Sequence, residues 1–140
     1  MPDFPVLRIY LDSNVLFSAS RDEPSRFINL WRLRDVAVVT SQYAVGEVFR
    51  NIKSIEHRQR FEGLLAGTEF VSDADVRLIP PDVALVGKDQ PILAAAIAAS
   101  VDYLVTGDKR HFAHLHARTI SGVHVISPAD FLLRYKERLP

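Results

Sequence analysis

The sequence contains no cysteine, which excludes disulfides and thiolate zinc sites and suits a reducing compartment. It also lacks an excess of either charge. Lys+Arg and Asp+Glu both number 17, so no global basic field draws polyanions to the surface, and any attraction to nucleic acid must come from local patches. The first residues, Met-Pro-Asp-Phe-Pro, have no basic leader region, and Arg8 and Asp12 interrupt the apolar run that follows. Neither a secretory signal nor a membrane span is expected, and a soluble cytoplasmic protein is the default. No glycine pattern follows a strand, which argues against a phosphate-cradling loop, and no repeat, low-complexity tract or linker breaks the chain. His111, His114 and His116 cluster without zinc-protease spacing and are expected to be surface histidines. With 140 residues, 48% of them hydrophobic, the chain is large enough for one core and too short for two well-stabilised α/β units, so residues 1–140 are expected to form a single domain.

What is present reads as alternating strands and helices. Leu7-Arg8-Ile9-Tyr10-Leu11 is β-prone and ends at Asp12-Ser13-Asn14, residue types that open helices; a helix is predicted from Val15 to about Ser20. Asp22-Glu23-Pro24 suits the opening of a second helix through Trp31 and Leu33. Val36 to Val39 is continuously apolar, the mark of a strand covered on both faces. Helices are expected over Gln42–Ser54 and His57–Leu65, with Gly67 as a stop. From Phe70 to Val86, where Pro80-Pro81 separates two short apolar runs, a strand and an extended loop are expected. Asp89-Gln90-Pro91 opens an alanine-rich helix to Ser100, apolar nearly all round and therefore buried. Strands over Tyr103–Thr106 and Val123–Ile126 and a closing helix Pro128–Leu139 complete a doubly wound α/β architecture, with ligands expected beyond the C-terminal ends of the strands.

Four acids stand where that architecture aims them at one sheet edge: Asp12, Glu47, Asp89 and Asp108. Carboxylates crowded in one cleft raise each other's pKa unless a cation neutralises them, and Mg²⁺ prefers carboxylate and water oxygens, so the set points to metal-dependent chemistry on a phosphate ester. Each acid also has a plainer reading. Asp12 and Asp89 suit helix caps, Glu47 can pair with Arg50 one turn on, and Asp108 follows a glycine in a turn. Two strand-end acids on one edge make coincidence the weaker explanation, and Gly46, costly inside a helix, hints at a close approach beside Glu47. Arg50, Lys53, Arg58, Arg60, Lys109 and Arg110 are candidate basic contacts for RNA, set against solvated helix faces. Phe27, Trp31, Tyr43 and Phe49 are expected in the core rather than stacked on bases.

The segments Leu11-Asp12-Ser13-Asn14-Val15-Leu16, Ala44-Val45-Gly46-Glu47-Val48, Lys88-Asp89-Gln90-Pro91-Ile92-Leu93-Ala94-Ala95-Ala96 and Leu104-Val105-Thr106-Gly107-Asp108-Lys109-Arg110-His111-Phe112 resemble, in order and spacing, the motifs of PIN-domain ribonucleases. The resemblance runs from Ile9 to about Phe131. It implies a three-layer fold, a central twisted parallel sheet flanked by helices, bearing an endoribonuclease site that uses Mg²⁺ or Mn²⁺. By carry-over Asp12, Glu47, Asp89 and Asp108 match the family's acidic quartet, and Asn14 and Thr106 match polar residues that support it. Asp12 and Asp108 are the best candidates for direct ligation, with Glu47 and Asp89 ligating directly or through water. Where many members carry a further Asp or Asn after the position of Asp108, this chain has Lys109, Arg110 and His111. The compact size is similar to VapC-type toxins, which implies an RNA substrate, a homodimer and an inhibitory antitoxin, and no membrane association. A haloacid-dehalogenase-type phosphatase would want a second Asp at position 14, where Asn stands, and a receiver domain would want an acidic pair after its first strand. A PIN module that binds RNA or protein without cutting is the competing expectation.

Overall fold

The computed structural model describes residues 5–21, 25–108 and 110–140. Five strands run parallel or join a parallel set: β1 (Leu7–Leu11), β2 (Val36–Ser41), β3 (Glu69–Val71), β4 (Tyr103–Val105) and β6 (Val123–Ile126), while the two-residue β5 (Thr119–Ile120) pairs antiparallel with β6. The sheet order is β3-β2-β1-β4-β6-β5. Helices α1 (Ser13–Arg21), α2 (Gln42–Asn51), α3 (Ile55–Leu65), α4 (Gln90–Ala98) and α5 (Pro128–Arg134) flank it, giving a three-layer α/β fold. The chain winds from β1 outward to β2 and β3, then returns to β4 on the other side of β1. The switch point where α/β folds place ligands therefore lies between β1 and β4.

The apolar runs explain the layering. Ile9, Tyr10, Leu11, Val39, Leu104 and Val105 are fully buried, as central parallel strands covered on both faces require. Ile92 to Ala96 of α4 are all buried, so a helix apolar on every side lies inside the protein. Tyr10 carries a hydroxyl into this core and satisfies it against Ser41 Oγ at 2.6 Å. Desolvation holds that phenol well above its ordinary range. Register then sets the functional edge: Leu11 stands opposite Val105 and the Asp12 N–H donates to the Val105 carbonyl at 3.0 Å, which brings Asp12 and Thr106 level just past the strands.

Several elements differ from the sequence expectation. The segment Arg26–Trp31 is a 3₁₀ helix, begun where Ser25 Oγ accepts the Phe27 N–H; the expected opening at Asp22-Glu23-Pro24 lies outside the described residues. The helix expected to reach Ser54 ends at Asn51 because Ile52 turns extended, freeing Ser54 to cap α3 by accepting the His57 N–H. The strand expected after Phe70 is only β3, and the run at Val76 is a 3₁₀ turn capped by Asp75. The closing helix stops at Arg134. Tyr135 leaves helical geometry, and after a 3₁₀ turn Arg138 donates to the carbonyls of Pro5 and Asp35. β5 is the antiparallel exception to an otherwise parallel sheet. Among the described residues no helix is long and apolar enough to cross a membrane.

Phe112, fully buried, anchors the irregular loop between β4 and β5. Phe112→Ala is expected to cost about 3–5 kcal/mol through the cavity it leaves, against a near-neutral Leu133→Ala at an exposed position. Urea unfolding monitored by circular dichroism measures both; equal costs would show that the ring does not hold this loop.

Candidate active site

Asp12 sits at the end of β1, 3% exposed, and its carboxylate is bonded on both oxygens. Oδ2 accepts from the Thr106 hydroxyl at 2.8 Å and from Asn14 Nδ2 at 3.3 Å, and Oδ1 accepts the Ser13 N–H at 2.6 Å. The first turn of α1 is held instead by the Asp12 main-chain carbonyl, which accepts from Val15 and Leu16. The side chain takes only the first N–H of α1, not the second or third as an ordinary cap does. Desolvation raises its pKa to about 6, with Asp89 and Glu47 pushing the same way against the hydrogen bonds of Thr106 and Ser13.

Thr106 and Asn14 tie the two strand ends together. The Thr106 hydroxyl that donates to Asp12 also accepts the Asp108 N–H at 3.1 Å, and Asn14 Oδ1 accepts the Gly107 N–H at 2.8 Å. A Cβ on residue 107 would stand 3.3 Å from Asn14 Oδ1, so glycine permits this close approach. Asp108 then uses Oδ1 for a turn, accepting the N–H groups of Arg110 and His111 at 2.8 and 2.9 Å. Burial alone would raise the Asp108 pKa, but those two backbone donors and the nearby His111 and Lys88 hold it below the ordinary value. Its Oδ2 faces His111 Nδ1 at 3.2 Å.

Asp89 stands at the start of α4, yet its side chain makes no capping hydrogen bond. Its Oδ2 lies 2.8 Å from His111 Nδ1 instead. Desolvation raises the Asp89 pKa, aided by Asp108 and opposed by His111 and Lys88. Two carboxylates beside one imidazole are thus displaced in opposite directions. Glu47, half-buried on α2, is raised by desolvation and by Asp89, with Ser13, Arg50 and Lys88 countering. Asp12, Glu47, Asp89 and Asp108 consequently share one electrostatic neighbourhood, but the tightest donor group is Asp89, Asp108 and His111, whose ligand atoms all lie within 4.8 Å of one another.

His111 is the site residue that sequence reasoning passed over. It is not a surface histidine: its side chain is 21% exposed and wedged between two acids. Its spacing of three from Asp108 within a turn was the available signal. Gly46, by contrast, marks no close backbone approach; a Cβ there would meet only the tip of Arg50 at 3.4 Å. Arg58 pairs with Glu62 one turn on across an exposed helix face, and Arg60 donates to the carbonyls of Ser20 and Arg21, tying α3 to the end of α1. Lys53 lines a groove of about 730 Å³ that runs between α1, α2 and α3 and ends at Ser13, Asn14 and Glu47. Lys109 lies outside the described residues. Phe27, Trp31, Tyr43 and Phe49 pack partly buried against the core. Tyr43 also donates its hydroxyl to the Lys88 carbonyl, fastening the segment that carries Asp89 to α2.

A family model described as PIN domain matches residues 8–110, the span that contains Asp12, Glu47, Asp89 and Asp108 and stops just short of His111. The chain belongs to the PIN domain family. A crystal structure of VapBC2 from Rickettsia felis, bound to a DNA fragment from their promoter, contains a similar chain: TM-score 0.62, 16% identity, with 86% of this chain and 98% of that one covered. At that identity the likeness speaks for the fold. No curated protein sequence matches. Within the PIN fold of this chain Asp12 and Asp108 follow the adjacent strands β1 and β4, at the switch point of the sheet.

Because folded Asp12 holds its proton up to about pH 6 and the unfolded carboxyl releases it near its ordinary value, stability from this group is lost as pH rises through that window and is flat above it. Under chelation, Asp12→Asn should therefore gain stability relative to wild type between roughly pH 4 and pH 7, by up to about 3 kcal/mol. Paired urea titrations across pH measure the difference; a pH-independent difference would refute the assignment.

Proposed function

We propose that this PIN-domain chain is a divalent-metal-dependent endoribonuclease, cytoplasmic, and the toxin of a toxin–antitoxin pair. The carrying observation is that Asp12, Glu47, Asp89 and Asp108 share one electrostatic neighbourhood, with three of the four held above their ordinary pKa first by burial and then by one another. A cation fits it: Asp89 Oδ2 is buried without a hydrogen-bond partner beside a second carboxylate. Asp89 and Asp108 would hold the ion, Mg²⁺ or Mn²⁺, with Asp12 and Glu47 ligating directly or through water. When bound, such an ion supplies Lewis acidity toward the scissile phosphate and the attacking water.

The chain's own residues then have distinct tasks. Thr106 and Asn14 fix the Asp12 carboxylate, so that its unshared electron density faces the site in one orientation. The Asp108 turn presents Oδ2 while the backbone occupies Oδ1. Glu47, exposed enough to reach water and raised in pKa, would in the water-mediated arrangement accept one proton of the attacking water; the new P–O bond forms in line as the bond from phosphorus to the 3′ oxygen breaks, and that oxygen takes a proton from solvent water. No side chain forms a covalent bond with RNA in this scheme. Single-stranded RNA would lie along the groove that ends at Glu47, its phosphates near Lys53.

For partners, the complex in the R. felis structure motivates an antitoxin here, one whose basic side chain would enter the acidic edge in place of the cation. A homodimer is the expected assembly. Co-purification from the native host of a small protein that blocks cleavage tests this part; a strictly monomeric chain without such a partner would remove the toxin assignment and leave the nuclease.

Chelation is expected to abolish cleavage of single-stranded RNA and Mg²⁺ or Mn²⁺ to restore it. Asp12→Asn and Asp108→Asn should each lower kcat roughly 100-fold or more with the fold retained, while Lys53→Ala should raise KM several-fold and spare kcat. Metal-independent cleavage surviving both acid variants would overturn the mechanism, and metal binding without cleavage of RNA would make the protein a binding module.

A further inference from the structure

His111 Nδ1 lies 2.8 Å from Asp89 Oδ2 and 3.2 Å from Asp108 Oδ2, yet the Asp89 oxygen and the ring nitrogen are both buried and neither has a hydrogen-bond partner. The two atoms nonetheless stand at contact distance. An imidazolium paired with a carboxylate would point its N–H along the contact and be satisfied there. Adjacent ligands placed about 2.1 Å from one octahedral ion stand roughly 3 Å apart, which is the spacing of His111 Nδ1 from each of the two carboxylate oxygens, and all the ligand atoms lie within 4.8 Å of one another. Asp89 itself is 8% exposed, so its orphan oxygen is a fully desolvated donor facing the cluster.

We infer that His111 is a direct ligand of the divalent ion through Nδ1, completing with Asp89 and Asp108 a mixed nitrogen and oxygen set that selects Mn²⁺ over Mg²⁺. The inference rests on the metal-dependent reading above and adds an imidazole to it. Mn²⁺ also favours oxygen and is the weakest binder of the first-row series, but as a transition ion it accepts an imidazole more readily than Mg²⁺ does, so one nitrogen donor shifts the balance between these two toward Mn²⁺. Ligation requires the neutral tautomer with its proton on Nε2. The ring is also set in place beforehand: the His111 N–H is fixed on Asp108 Oδ1 at 2.9 Å, and the next residue, Phe112, is fully buried.

The test is pulsed electron paramagnetic resonance on the Mn²⁺-loaded full chain, with calorimetric titration of Mn²⁺ and Mg²⁺ alone. The expected result is a ¹⁴N modulation from bound imidazole that disappears on ¹⁵N-histidine labelling and in His111→Asn. That variant should bind Mn²⁺ roughly tenfold or more weakly with Mg²⁺ affinity unchanged. The labelling arm uses unaltered protein, so the answer does not depend on the variant folding. Mn²⁺ bound without nitrogen modulation, or modulation that persists in His111→Asn, overturns the ligand assignment and leaves the metal site of the proposed nuclease intact. Failure to bind either ion overturns both.

Discussion

One hydroxyl joins the two halves of this protein's candidate site. Thr106 Oγ1 donates to the Asp12 carboxylate across the gap between β1 and β4, and the same oxygen accepts the N–H that begins the Asp108 turn. The strands it joins belong to opposite halves of the winding, because the chain leaves β1 toward β2 and returns on the other side at β4. Without that bridge a buried carboxylate with a pKa near 6 would face an open seam; with it, the seam is closed by a donor that works for either charge state of Asp12. Asn14 reinforces the closure from α1 by bonding Gly107.

The two sides of the site are built differently. Asp12 and Thr106 ride on strands whose neighbours are fully buried, and their positions follow from register. Asp89, Asp108 and His111 stand on a helix start and an irregular loop, held by a main-chain turn, by Phe112 in the core and by the Tyr43 contact to Lys88. A carboxylate fixed by strand register thus faces three side chains fixed by loop contacts. Desolvation is the common cost on both sides, and it is what leaves Asp12, Glu47 and Asp89 reluctant to ionise without a cation.

The strand-end acids were legible in the sequence because each follows closely on a short β-prone run, Ile9-Tyr10-Leu11 or Tyr103-Leu104-Val105, and a run covered on both faces fixes where the chain must emerge. α4 was legible for the same reason, its alanines leaving no polar face. His111 was not, because no periodicity governs an irregular loop, and a turn made by an aspartate looks identical whether or not its second oxygen has a neighbour. Short elements escaped as well. β5 has two residues, too few for any alternation, and the chain at Arg26–Trp31 carries helical spacing that packing tightens into a 3₁₀ turn. Arg60 illustrates the converse: its charge left RNA and a solvated helix face both open, and only tertiary contacts to the Ser20 and Arg21 carbonyls reveal that the scaffold uses it.

The sheet's borders have a consequence for association with other chains. One border is β3, three residues long, with Glu69 drawn inward by Arg8 at 2.6 Å; the other is β5, two residues folded back on β6. Borders this short offer an incoming strand almost no free backbone to pair with, and the antiparallel turn-back interrupts the parallel lattice that a copy of the same edge would need. Strand-to-strand aggregation is thereby discouraged at both limits of the sheet, and any lasting assembly has to be built from side chains on the helical layers, where specificity is written residue by residue rather than by generic peptide hydrogen bonding.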